Sequence, residues 1–142
     1  MSRDLHADRV ELSIPATVEW LLLARTTGAA IASRWSFTYD EIADLKLAID
    51  EFCLTLVEGP GAERLDLAYY LENDSLCLEG RTVLATPGSQ AASDSGATGA
   101  VTFSADLSAR ILDALVDEHG ISDGPGDGAK TAWLRKKRNP LS

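Results

Sequence analysis

From Trp20 to Ser33 the chain reads WLLLARTTGAAIAS and carries a single charge, Arg25. Val18, Leu21, Leu22, Ala29 and Ala32 form one apolar stripe at helical spacing, and Trp20, Leu23, Ala24 and Ile31 form another. A helix apolar nearly all round needs cover on two sides. One stripe suits a sheet within the domain. The other is either buried inside the same domain, with Arg25 extending its guanidinium to water, or faces a partner with Arg25 at the centre of the contact. The chain therefore has to fold as layers.

The neighbouring segments supply the layers. In RVELSIPA the alternation of Val10, Leu12 and Ile14 predicts a strand over 8–15, ending at Pro15. Thr17 stands as an N-cap for a helix over 17–34, and Thr38 with Glu41 makes a capping box for a helix over 40–58. The core face of that second helix is Ile42, Leu45, Ile49, Phe52, Cys53 and Leu56. After the Gly-Pro turn in EGPGAE, residues 63–85 read as a hairpin around Asn73-Asp74, with Leu65, Leu67, Tyr69 and Leu71 alternating.

Residues 86–103 are small, polar and Gly-rich, a lid-like loop inside the domain. Helical spacing returns over 105–119 through Leu107, Ile111, Leu112, Leu115 and Val116, with His119-Gly120 as its close. DGPGDG marks a tight connection, and a last strand over 129–137 carries Trp133 and Leu134. The expectation is one domain over 1–142, an α+β two-layer sandwich with three helices on one face of a mixed, mostly antiparallel sheet.

No apolar run approaches the roughly 18 to 20 residues of a membrane span, and MSRDLHADRV lacks the apolar centre of an export signal. These features predict a cytoplasmic protein without a membrane partner. A net charge of -9 argues against nucleic-acid binding. Without the basic cluster Arg135-Lys136-Lys137-Arg138 at the C-terminal end, 9 basic residues stand against 22 acidic ones, a body of -13 that suits a basic protein partner. Cys53 and Cys77 sit in apolar runs and read as buried thiols, not a disulfide. His6 and His119 have no companions at metal-ligand spacing, Asp123 and Asp127 lack the acid that closes a calcium loop, and Trp35 and Trp133 read as core, as does Trp20 unless the first helix is exposed.

On the second predicted helix, Asp44, Leu47, Glu51, Thr55 and Glu58 run down one face. An acid one turn before a hydroxyl is the pattern of a solvated face, and it is also the pattern of a catalytic edge. The context distinguishes them. A strand, a helix containing LLLAR, then DLKLAIDEFC, a hairpin, a Gly-rich loop and ARILDALVDE together resemble the RsbW-type anti-sigma factors, partner-switching serine kinases of the GHKL ATPase superfamily. The resemblance runs from about Val10 to Arg138, and DLKLAIDEFC, similar to the family's DLRLAVDEAC, is its most specific part.

The resemblance implies a Bergerat-type, histidine-kinase-like ATP-binding sandwich that captures a sigma factor and phosphorylates an anti-anti-sigma protein. Glu51 then matches the general base, and Thr55 stands where the family has the Asn that binds Mg²⁺, a poorer ligand for a hard cation. The adenine-reading Asp-x-Gly is absent from CLEGRTVLATPGSQ, and Asp106-Leu107-Ser108 is the best match to the Gly-x-Gly that meets phosphate at a helix N-terminus. The nucleotide elements thus look degenerate, leaving Glu51 as a vestigial base, Thr55, Asp106 and Ser108 as remnants of the cofactor site, and no metal site. Arg25 matches the family's partner-gripping Arg, with Trp20 and Leu21 beside it, and the resemblance further implies a homodimer.

The expected function is an anti-sigma factor that sequesters a sigma factor, is released by an anti-anti-sigma (STAS-type) partner, and works without productive use of ATP and Mg²⁺. The alternative is an active serine/threonine kinase, with Glu51 as base, Thr55 supporting Mg²⁺ through water, and Gly96-Ala97-Thr98-Gly99 as an ATP lid. A third class is a scaffold that uses the fold only to dimerise or to answer another ligand.

Overall fold

The computed structural model of the chain describes residues 9–58, 61–85, 98–123 and 129–139. Strand β1 (Val10–Pro15) leads through a 3-10 turn (Val18–Trp20) into helices α1 (Leu21–Arg34) and α2 (Tyr39–Val57). The hairpin β2 (Ala62–Glu72) and β3 (Ser75–Leu84) follows, then α3 (Thr98–Leu115), β4 (Glu118–Asp123) and β5 (Lys130–Lys137). The sheet has five strands in the order β1-β2-β3-β5-β4. Every described pairing is antiparallel, so the expected mixed sheet is antiparallel throughout.

Helix α2 forms where its signals are strongest. The Thr38 hydroxyl accepts from the Glu41 amide while the Glu41 carboxylate accepts from the Thr38 amide, which satisfies two of the orphan donors at the helix start. Its apolar face then buries Leu45, Ile49, Phe52 and Leu56 against Leu65, Leu67, Tyr69, Leu76 and Leu78 of the hairpin and Leu134 of β5. Gly80 lets α2 come down onto β3: a Cβ there would lie 2.7 Å from Leu56 Cδ1 and 2.9 Å from Phe52 Cε2. Asn73 and Asp74, at φ 52 and 67, give the hairpin its tight turn with both central residues left-handed.

Helix α1 departs from expectation at its start and in its faces. Thr17 is extended and caps nothing with its side chain, so a 3-10 turn precedes the helix and α1 begins only at Leu21. One stripe is buried, Leu21, Ala24, Gly28, Ile31 and Ala32, drawn from both of the apolar rows in the sequence. The Tyr69 hydroxyl donates to the Ala24 carbonyl at 2.8 Å and holds this stripe to β2. Val18, Trp20, Leu22 and Leu23 are left outside. At the far end the Phe37 amide bonds the Ala32 carbonyl and the Ser36 amide bonds the Ser33 carbonyl, a Schellman closure that puts Ser36 at φ 65.

Further corrections concern the C-terminal half. Residues 98–103, expected in the loop, are the first turns of α3, while 86–97 lie outside the described residues. Helix α3 stops at Leu115, and His119 and Gly120 belong to β4, a strand that the periodicity did not suggest. Gly120 reads locally as a helix stop, but its role is tertiary: a Cβ would lie 2.7 Å from the Trp133 Nε1 on the neighbouring strand. Trp133, expected in the core, stands 42% exposed on the outer face of the sheet.

The basic cluster is built into the domain. Arg135 pairs with Glu118, and Lys136 reaches both Asp44 and the Leu115 carbonyl. Arg138 bonds the Trp35 carbonyl at the end of α1 and the Asp74 carboxylate at the hairpin turn. The Asn139 amide bonds Glu41, so the segment after β5 closes on the start of α2. As expected, Cys53 and Cys77 are buried free thiols, and burial, with the Asp50 carboxylate adding to it, pushes Cys53 up to about 12.

Candidate functional site

The second half of α2 faces α3, and of the residues singled out in the sequence Glu51 and Ser108 meet there. The Ser108 hydroxyl donates to Glu51 Oε2 at 2.5 Å, from a position that is 5% exposed, while Glu51 is half-buried. This bond joins residues 57 positions apart. Thr55 lies one turn further along α2, but its hydroxyl donates back to the Glu51 carbonyl at 3.0 Å, the local bond that Ser and Thr make inside helices. The Lys130 ammonium approaches the Thr55 carbonyl at 3.4 Å, in the last turn of α2, where the Leu56 carbonyl accepts from the Thr82 hydroxyl at 2.9 Å.

Asp106 and Ser108 do not sit at a helix N-terminus. Helix α3 begins at Thr98, so both are well inside it, past the first-turn amides that lack helical partners. Asp106 is exposed, and only Ser108 turns towards α2. Of the proposed ATP lid, Gly99 is helical and Gly96 lies outside the described residues. The Glu51 carboxylate accepts from the Ser108 hydroxyl, and the Thr55 hydroxyl is turned onto its own helix. Among the described residues no group of three or more His, Cys, Asp or Glu side chains is placed to hold a metal.

The residues expected to meet a partner, Trp20, Leu21 and Arg25, lie on the other side of α2. Arg25 Nη1 and Asp50 Oδ2 form an ion pair at 3.1 Å, with the two side chains 38% and 34% exposed. Trp20 is open on the adjacent 3-10 turn. Leu21 is not: it is 5% exposed and packs inward, because the helix starts later than the capping signal suggested and its phase turns Leu22 outward instead. Asp50 was not singled out in the sequence. Its only signal is its place one helical turn after Lys46, and nothing local ties it to Arg25.

Another cleft, of about 660 Å³, lies on the outer face of the sheet, away from the helices. Its charges answer one another across strands. Asp66 accepts from Ser13 at 2.8 Å and from Arg81 at 3.1 Å, and the Ser13 bond above all holds its carboxyl below the ordinary value despite partial burial. Arg9 bonds Glu11 and lies 5.5 Å over the ring of Tyr70. Cross-strand pairing of this kind fixes register.

No family model matches the chain. Over 53 residues it is 43% identical to the serine-protein kinase RsbW of Bacillus subtilis (strain 168), a match covering 37% of this chain and 33% of that protein. Over 51 residues it is 41% identical to the serine-protein kinase RsbW of Bacillus thuringiensis (strain Al Hakam), covering 36% of this chain and 32% of the relative. The match thus spans about a third of the length of these relatives. Among solved structures, the RsbU and RsbW domains of Rv1364c from Mycobacterium tuberculosis superpose with a TM-score of 0.62 at 19% identity, over 93% of this chain and 33% of that one. That likeness establishes the fold, an α+β sandwich of helices packed on an antiparallel sheet. No helix among the described residues is long and apolar enough to cross a membrane.

Proposed function

We propose that this chain, a homologue of the RsbW serine-protein kinases, is a cytoplasmic anti-sigma factor that holds a sigma factor by surface contact and releases it to an anti-anti-sigma partner of the STAS type. In this reading it acts as a homodimer and carries no productive phosphotransfer. The observation that carries it is the bond between Ser108 and Glu51. A general base must accept the proton of the attacking hydroxyl, and the hydroxyl on this carboxylate is one from the chain itself. Thr55 adds to the reading, since its hydroxyl is engaged within α2. The sigma factor would meet the outer face of α1, with Arg25 and Trp20 as contacts and Leu22 in the place first given to Leu21.

A kinase remains the second reading, because Glu51 is retained and the relatives are named serine-protein kinases. A serine hydroxyl on that carboxylate is also the arrangement that a substrate serine would take. One experiment separates the two. The full chain is incubated with Mg-ATP, its cognate sigma factor and the anti-anti-sigma protein, and both complex formation and phosphate on the latter are measured. The expected result is a sigma complex without phosphate transfer. Phosphate transfer abolished by Glu51→Gln would overturn the proposal in favour of the kinase. Arg25→Ala is expected to weaken sigma capture by about tenfold or more.

A further inference from the structure

Helices α1 and α2 leave a groove of about 670 Å³ between them on the outer side of the helix layer. Its walls are two matched stripes. Leu22, Arg25, Thr26 and Ala29 line one side, and Ala43, Lys46, Leu47 and Asp50 line the other, each at helical steps of three and four. Leu22 and Leu47 form the rims, 53% and 57% exposed, and the small Ala29 and Ala43 leave depth between them.

The charge of this groove is opposite to that of the chain. The protein carries -9, yet the groove holds Arg25 and Lys46 against a single acid, Asp50. Arg25 and Asp50 answer each other at 3.1 Å. Lys46 makes no ion pair among the described residues, and its ammonium is the charge left for a visitor.

We propose that this groove seats an acidic, leucine-bearing amphipathic helix of a protein partner, with Lys46 and Leu47 as the residues that select it. Every lining group belongs to a helix whose backbone is satisfied internally, so the groove offers no edge to an added strand. It has no aromatic wall to receive a proline-rich segment. What it offers is leucine rims, an alanine floor and one unpaired cation. That combination matches apolar anchors at helical spacing with a carboxylate beside them. A basic helix, although drawn to the acidic body, would meet Arg25 and Lys46 at the seat itself. The inference deepens the sequestration reading by naming the chemistry of the bound element, and it adds α2 to the contact surface.

The test has two arms on the full chain. In the first, the isotopically labelled protein is titrated with a helical peptide bearing leucines at steps of three and four around a Glu, and with the same peptide carrying Lys instead. Amide shifts concentrated at Leu22, Lys46 and Leu47 with the Glu peptide, and weaker ones with the Lys peptide, are expected. Equal binding of both peptides, or shifts scattered over the surface, overturns the proposal. In the second arm, Lys46→Glu and Leu47→Asp are each expected to weaken capture of the cognate sigma factor by about tenfold, with Lys46→Arg within about twofold of the parent. Because both positions are exposed, the melting temperatures should stay close to the parent's. Capture at parental affinity by Lys46→Glu and Leu47→Asp overturns the groove proposal and leaves sequestration standing. A chain that selects the Glu peptide in the groove but captures no sigma factor supports the groove and overturns sequestration.

Discussion

Removing the Ser108 hydroxyl perturbs the one bond on which the proposed function rests. Ser108 is 5% exposed and donates to Glu51 Oε2 at 2.5 Å, so Ser108→Ala deletes a charge-assisted bond between α3 and α2. Such bonds contribute about 1.5 to 3 kcal/mol. Glu51 is half-buried, and water reaching its carboxylate after the substitution recovers part of that, which places the loss near 1.5 kcal/mol. For 142 residues the unfolding entropy is about 0.3 kcal/mol/K, so the melting temperature should fall by about 5 °C. The assay is a double-mutant cycle by calorimetry at neutral pH, with Ser108→Ala, Glu51→Ala and the double variant. A coupling of about 1 to 1.5 kcal/mol is expected, because the double variant loses nothing more once either partner is gone. A coupling below about 0.3 kcal/mol would refute the reasoning: Glu51 would then be solvated and open to a substrate hydroxyl.

Other parts of the structure give independent outcomes. Ser36→Gly relieves a left-handed residue at φ 65 in the Schellman closure of α1, and thermal melts should show a gain of about 0.5 to 1 kcal/mol. Gly80→Ala forces a methyl into Leu56, Phe52 and Leu67, all buried, and denaturant titration should show a loss of about 1 to 3 kcal/mol. At Glu41, burial opposes ionisation, but the Thr38 and Asn139 amides, the Thr38 side chain and the charge of Lys136 outweigh it and hold the carboxyl below its ordinary 4.5. A depressed folded-state value contributes stability above 4.5 that is lost as pH falls through the folded value, so Glu41→Gln should flatten the acid side of the stability curve. A constant difference between parent and Glu41→Gln across that range would contradict this account.

The elements that could be read in advance are those with local causes. The Thr38–Glu41 capping box, the alternation of β1 and of the hairpin, the Asn73-Asp74 turn and the buried cysteines each follow from residues within a few positions of one another. What was missed has distant causes. Strand β4 has little apolar alternation of its own, with Ile121 half exposed, and it exists because β5 supplies its ladder and Trp133 covers Gly120. The phase of α1 is set by where the 3-10 turn ends and by the Tyr69 hydroxyl reaching Ala24 from β2.

The candidate site divides the same way. The sequence by itself determined that Glu51 and Thr55 share a helix face, that Arg25 stands alone in an apolar helix, and that the chain is acidic, since periodicity and charge are local quantities. Only the tertiary structure decided that Ser108 occupies Glu51, that Asp50 answers Arg25, that Leu21 turns inward, and that the basic cluster clamps the fold. Each of these depends on which side chains packing brings together across tens of residues. Hydrogen bonds and ion pairs form where distance and burial allow, and one-dimensional spacing carries neither.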